Sequence, residues 1–173
     1  MKESRYNKIN IKDKIFKNKK ILIIILVLII SISIDQIIKA IVVNNLYKSS
    51  TDIFEGVLSL TYIENTGGAF GIGSNSIIMF IIVNIIVIAI TARFLLLKKE
   101  HINNHILISL ALILSGGIGN LIDRIFRGHV IDYIDFNALI KYPVFNFADI
   151  CVVVGCAIII ISIICSTRTK SKD

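Results

Sequence analysis

Two aspartates stand at the edges of long apolar runs in this 173-residue chain. Asp132 lies in Gly128-His129-Val130-Ile131-Asp132-Tyr133, and Asp149 in Phe145-Asn146-Phe147-Ala148-Asp149. A carboxylate at membrane depth is costly, so it is read first as functional, with a partner to be named. Two carboxyls brought together there favour one chemistry above others: they share a proton, and a water between them is activated, as in aspartic proteases. No Ser–His or Cys–His arrangement competes for the role. His129 is the only histidine on the expected outer side, and no suitable serine or cysteine stands beside it.

The elements that must position these acids are membrane helices. The chain is 55% hydrophobic with a mean hydropathy of +0.80 and a single proline, too apolar for a soluble domain of this length. Its apolar residues fall in four runs. Ile21–Val43 is broken only by Ser31, Ser33, Asp35, Gln36 and Lys39, and Ile77–Leu97 carries Asn84, Thr91 and Arg93. Ile106–Ile122 is rich in small residues, and Val144–Cys165 is the last. A spanning helix needs about 20 residues, so the third run must borrow a neighbour or two at each end. The expected fold is an all-α polytopic membrane protein with four transmembrane helices.

Charge sets the expected orientation. Lys2, Arg5, Lys8, Lys12, Lys14, Lys17, Lys19 and Lys20 precede the first run, Lys98 and Lys99 follow the second, and Arg168, Lys170 and Lys172 follow the fourth. Basic segments stay in the cytoplasm, which puts both termini inside and Asn44–Ser76 and Asp123–Pro143 outside. The organisation is then a basic cytoplasmic tail over 1–20, a four-helix domain over 21–166 with outer segments near 44–76 and 123–143, and a second tail over 167–173. This topology accounts for most of the net charge of +7, so no nucleic-acid partner is expected. The first run is too long for a cleaved secretory signal and lacks a small-residue cleavage site, so it is a retained helix. Cys151, Cys156 and Cys165 follow neither a redox nor a zinc pattern and read as small buried hydrophobes.

Several polar residues ask for more than packing. Val57–Asn65 alternates, with Leu58, Leu60 and Tyr62 on one face, and so predicts a small extracytoplasmic strand. Asn65-Thr66-Gly67-Gly68-Ala69-Phe70-Gly71 follows, where backbone can turn tightly or approach a ligand. Asp35 and Lys39 lie four apart on one helix face, as a structural ion pair or as part of a proton relay. The third run ends Ser115-Gly116-Gly117-Ile118-Gly119-Asn120-Leu121-Ile122-Asp123-Arg124. Its small residues let helices approach closely, while Asn120, Asp123 and Arg124 share a face suited to a hydrogen-bonded network.

In order along the chain, Asp35-Gln36 with Lys39, Asn65–Phe70, Gly116–Arg124, Gly128–Tyr133 and Phe145–Asp149 resemble the lipoprotein signal peptidases (signal peptidase II) over nearly the whole length after the tail. Gly68 stands where alanine is expected, and Tyr133 where phenylalanine is usual; neither removes a functional group. The resemblance implies an aspartic endopeptidase of the bacterial cytoplasmic membrane with its active site toward the extracytoplasmic face. It would cleave signal peptides from prolipoproteins before a cysteine carrying diacylglycerol. It further implies contact with membrane lipid, inhibition by globomycin-type cyclic peptides, and no metal or organic cofactor. The resemblance assigns the catalytic role to Asp132 and Asp149, and it implies a supporting or substrate-binding set of Asp35, Lys39, Asn65, Gly67, Gly119, Asn120, Asp123, Arg124, Asn146 and Ala148.

Within that set some roles follow from chemistry. Asp149 is expected to start the fourth helix, where the macrodipole favours negative charge, so it is read as the ionised acid and Asp132 as the protonated one. The amides of Asn120 and Asn146 can donate to carboxylates or substrate, and Asn65 is placed to hold the substrate backbone. Asp123 is the rival acid, set aside because the adjacent Arg124 offers it a structural partner. A proton-coupled transporter using Asp35, Lys39, Asn84, Arg93 and Asp149 is the alternative class. The charges gather at one membrane face and no internal repeat is present, which argues against it.

Overall fold

A computed structural model describes residues 2–67, 76–136 and 142–170, with side chains described between 19 and 167. The order is α1 (Lys2–Leu46), β1 (Ser50–Phe54), β2 (Leu58–Asn65), α2 (Ile77–Lys98), α3 (Asn104–Phe126), β3 (Val130–Asp135) and α4 (Phe147–Lys170). Each apolar run is a helix long and apolar enough to cross a membrane: Lys19–Leu46, Ile77–Lys98, Asn104–Phe126 and Phe147–Thr167. α1 outruns its apolar stretch because the basic tail continues the helix back to Lys2.

α3 is the centre of the bundle. Half of its most apolar stretch is buried, against 6% for α2, and α1, α2 and α4 all pack on it. Small residues permit the approach. A Cβ on Gly116 would collide with the Ala148 carbonyl oxygen of α4, and one on Gly119 would come within 2.6 Å of Asp35 Oδ2 on α1. Leu107, Leu110, Ala111 and Leu114 of α3 close a core with Ile24 of α1 and Leu95 of α2. Ile29, Ile37, Ile78, Ile90 and Ile161 on the outer helices are exposed, which suits faces that meet acyl chains. Cys151 is buried, but Cys156 and Cys165 are exposed on α4, so the apolar-interior reading holds for the first alone.

Three strands form where the alternation predicts one. They pair antiparallel in the order β1-β2-β3. β1 is five residues long and fully exposed, so burial leaves no alternation in its sequence. The first four residues of β3 are all buried, which erases the alternation there too. Leu60 and Tyr62 of β2 and Ile131 and Tyr133 of β3 pack on Ile38, Val42 and Leu46 of α1. The sheet is thereby fixed over one end of the bundle.

Two boundaries differ from the sequence reading. α3 runs to Phe126, so Asp123 and Arg124 belong to the helix rather than to the outer segment. Arg127 caps it through its N–H to the Asp123 carbonyl at 2.7 Å, and Gly128 follows at φ 76°, the left-handed conformation that ends helices. α4 starts at Phe147 rather than Val144, because Phe145 pairs with Ile134 of β3. The connection carrying Asp132 therefore spans 127–146 instead of 123–143.

Candidate active site

Asn146 initiates α4 and thereby joins the two acids. Its side-chain oxygen accepts from the Asp149 N–H at 3.1 Å, while its own N–H donates to Asp149 Oδ2 at 3.1 Å. That is a reciprocal cap built from asparagine and aspartate three residues apart. The remaining Asn146 hydrogens go to Asp132 Oδ1 at 2.6 Å and Asn120 Oδ1 at 3.1 Å. Asn120 in turn donates to Asp149 Oδ1 at 2.8 Å.

β pairing supplies the fourth contact. Ile63 faces Asp132 and Asn65 faces Val130 across the β2–β3 ladder, so Asn65 and Asp132 are diagonal neighbours on one face. Asn65 Nδ2 donates to Asp132 Oδ2 at 2.8 Å, and Asn65 Oδ1 accepts from the Gly67 N–H at 2.9 Å. Asn65 is thus occupied with the acid, where the sequence reading gave it the substrate backbone. All four carboxylate oxygens of the pair have a donor. Gly68, Ala69, Phe70 and Gly71 of the glycine-rich motif lie outside the described residues.

Behind the acids lies a buried charge cluster. Lys39 is 0% exposed and sits 2.9 Å from Asp35, 1% exposed, and 2.7 Å from Asp123, 0% exposed. Its third hydrogen reaches Asn120 Oδ1 at 3.0 Å. A lysine only donates, so this contact fixes which end of the Asn120 amide faces Asp149. Asp35 also accepts from the Ala148 N–H at 3.0 Å, and the close approach at Gly119 leaves room for it. Gln36 donates to Asp35 at 3.0 Å and to Asp123 at 3.3 Å.

Arg127, absent from the sequence-derived set, is the arginine that pairs with Asp123. Arg124 points elsewhere. It donates to the Gly67 carbonyl at 3.2 Å and lies over the Phe80 ring at 5.6 Å. The i,i+4 spacing of Asp123 and Arg127 was the available signal. Tyr133 also contributes: its hydroxyl accepts from the Phe147 N–H at 3.2 Å, one of the free donors at the α4 start.

The acids line a cavity of about 280 Å³ together with Asn65, Asn120 and Arg124 and with Tyr142, Pro143, Val144 and Phe145 of the segment before α4. Asp132 is 2% exposed. Burial, and then the charge of Asp149, push its carboxyl up to about 7, against the pull of the Asn65 and Asn146 hydrogen bonds and of Lys39. A carboxyl that holds its proton near neutral pH beside a second acid can donate to a developing oxyanion while its neighbour accepts from water. Among the described residues no group of three or more His, Cys, Asp or Glu is placed to hold a metal. His129 lies 3.9 Å from Glu64 of β2.

Residues 24–165 match the family described as signal peptidase (SPase) II. The chain is 46% identical over 136 residues to a lipoprotein signal peptidase of Clostridioides difficile (strain 630), covering 78% of this chain and 87% of that one. It is 38% identical over 153 residues to a lipoprotein signal peptidase of Lactococcus lactis subsp. lactis (strain IL1403), covering 88% and 99%. In three dimensions it is similar to a bacterial membrane enzyme solved by the in meso method at 2.3 Å resolution. The TM-score is 0.76 at 32% identity, over 88% of this chain and 92% of that one.

Proposed function

The chain belongs to the signal peptidase II family, and from that premise we propose that it cleaves prolipoproteins before a diacylglyceryl-modified cysteine, using the Asp132–Asp149 pair. The observation that carries the reading is the shared asparagine. Asn146 holds both acids at the wall of one cavity.

The chemistry runs through one water. Asp149 starts ionised, in the first turn of α4, where the helix N-terminus favours the anion. Asp132 starts protonated, in keeping with its raised carboxyl. Asp149 takes a proton from the water as its oxygen attacks the scissile carbonyl, and Asp132 gives its proton to the carbonyl oxygen. Collapse of the tetrahedral species breaks the C–N bond. Asp149 passes its proton to the departing cysteine amine, and the gem-diol proton returns to Asp132. The products are the signal peptide carboxylic acid and the free amine of the lipidated cysteine, which leave as carboxylate and ammonium once the last gem-diol proton passes to the amine.

Both termini lie in the cytoplasm in this reading, and the acids face the extracytoplasmic side, as the positive-inside rule directs. Membrane lipid surrounds the substrate, and a globomycin-type cyclic peptide would inhibit by occupying the polar cavity. The chemistry asks for no metal or organic cofactor. The deciding experiment is cleavage of matched substrates with and without diacylglyceryl on the cysteine, by purified protein in one detergent. Binding energy from the lipid positions the amide, so the unmodified substrate loses kcat as well as affinity. Equal rates would replace this reading with that of a general membrane protease.

A further inference from the structure

The polar cavity continues into two grooves on either side of α4. α2 and α4 both pack on α3 but scarcely touch each other, which leaves a gap of about 240 Å³ flanked by Val83 and Val87 of α2, Ile113 of α3 and Val152 of α4. It meets the polar cavity at Asn120, Arg124 and Val152. The second groove, about 310 Å³, is bounded by Phe136, Tyr142, Phe145, Ile150 and Val153. It meets the polar cavity at Tyr142, Phe145, Asp149 and Val153. Val152 and Val153 are adjacent in sequence and face different grooves, so α4 divides them.

The grooves differ in depth. Val87 lies ten residues into α2 from its start at Ile77, and Ile113 ten residues before Asp123. At about 1.5 Å per residue that is roughly 15 Å, half of a hydrocarbon layer about 30 Å thick. The second groove uses only the first two turns of α4 and the connection before it. It stays at the boundary where the acids are.

The geometry points to a divided substrate site: the α2–α4 groove takes the apolar helix of the signal peptide, and the groove beyond Val153 takes the diacylglyceryl chains. This rests on the prolipoprotein substrate proposed above. A signal-peptide helix must reach the acids from the bilayer interior, and the deep groove leads there. Glyceryl-linked chains on the residue just past the cut belong in the outer leaflet, beside the shallow groove. Arg124 stands where the deep groove meets the acids, and its Nε is buried with no hydrogen-bond partner among the described residues. A carbonyl of the guest chain, freed where the helix unwinds before the cut, would satisfy it.

The test fills each groove at a position that does not line the polar cavity. Val87→Trp narrows the deep groove and Ile150→Trp the shallow one; both residues are exposed, so the bundle tolerates them, and Val83→Trp serves as a second deep-groove variant. The substrates are a full lipid-modified prolipoprotein and a short lipopeptide spanning the cut without the apolar helix, each with long or short acyl chains. Val87→Trp and Val83→Trp are expected to lower kcat/KM for the full substrate about ten-fold more than for the short lipopeptide. Ile150→Trp is expected to lower it about ten-fold more for long acyl chains than for short ones, on either peptide. A reversed pattern, equal losses on every substrate, or no change in either ratio overturns the assignment. Failure of the wild type to prefer lipidated substrate overturns the proposed function itself, before any variant is compared.

Discussion

Asn146 touches both acids, so its removal uncouples them without removing either. Asn146→Ala is expected to lower kcat by roughly 10²–10³ with a smaller change in KM, as for loss of one preorganised donor. Asp132→Asn and Asp149→Asn keep shape but lose the proton exchange, so each should abolish turnover while the protein stays folded in detergent; substantial activity in either would overturn the pair. The raised Asp132 carboxyl gives a sign for pH. It is protonated below about 7 and ionised above, so the singly protonated pair is lost as pH rises through that value. The alkaline limb of kcat/KM should fall near 7. Lys39 is a different case, since its loss strands Asp35 and Asp123 without their buried cation. Lys39→Met should destabilise by about 3–5 kcal/mol, read as a lower Tm.

Asp132 reaches its partners because β3 is zipped to β2, and Asp149 because Asn146 caps the start of α4. Helix packing sets the rest. Gly119→Val should cost about 1–3 kcal/mol and lower activity together, since its side chain would press on Asp35, which holds Lys39 and the Ala148 N–H; a Tm and a rate measured on one preparation check it. The spans were legible because about 20 apolar residues in a row fit little besides a bilayer crossing. Asp35 with Lys39 was legible from its i,i+4 spacing, and Arg127 would have been by the same rule. β1 and β3 were not, because a five-residue exposed strand and a strand buried on both faces carry no alternation. Asn65 stands out in the sequence as a holder of substrate backbone, and the structure adds a partner that the sequence does not name. Its contact with Asp132 crosses 67 residues of chain and depends on a strand register that local sequence does not encode.

The molecule is a four-span bundle with one polar end, and its orientation is testable as a whole. Reporter fusions after Lys99 should read cytoplasmic, and fusions within Thr51–Glu64 external; the opposite result would invert the bundle and turn the acids away from the substrate. The buried cluster also bears on how such a bundle is made. α1 and α3 share Lys39, Asp35 and Asp123, yet α2 is synthesised between them. Before they meet, α1 carries Asp35 and Lys39 one turn apart, and the end of α3 carries Asp123 with Arg124 beside it and the capping Arg127 at the same spacing. Each helix therefore brings a base within one turn of its own acid, and the α3 end carries one base more than it has acids. In the assembled bundle Lys39 serves two carboxylates, Asp35 of its own helix and Asp123 of α3, while Arg127 pairs with Asp123. The acids that hold the finished site together thus each have a base one turn away in their own segment, a local answer that lessens the cost of carrying them into lipid before α1 and α3 dock.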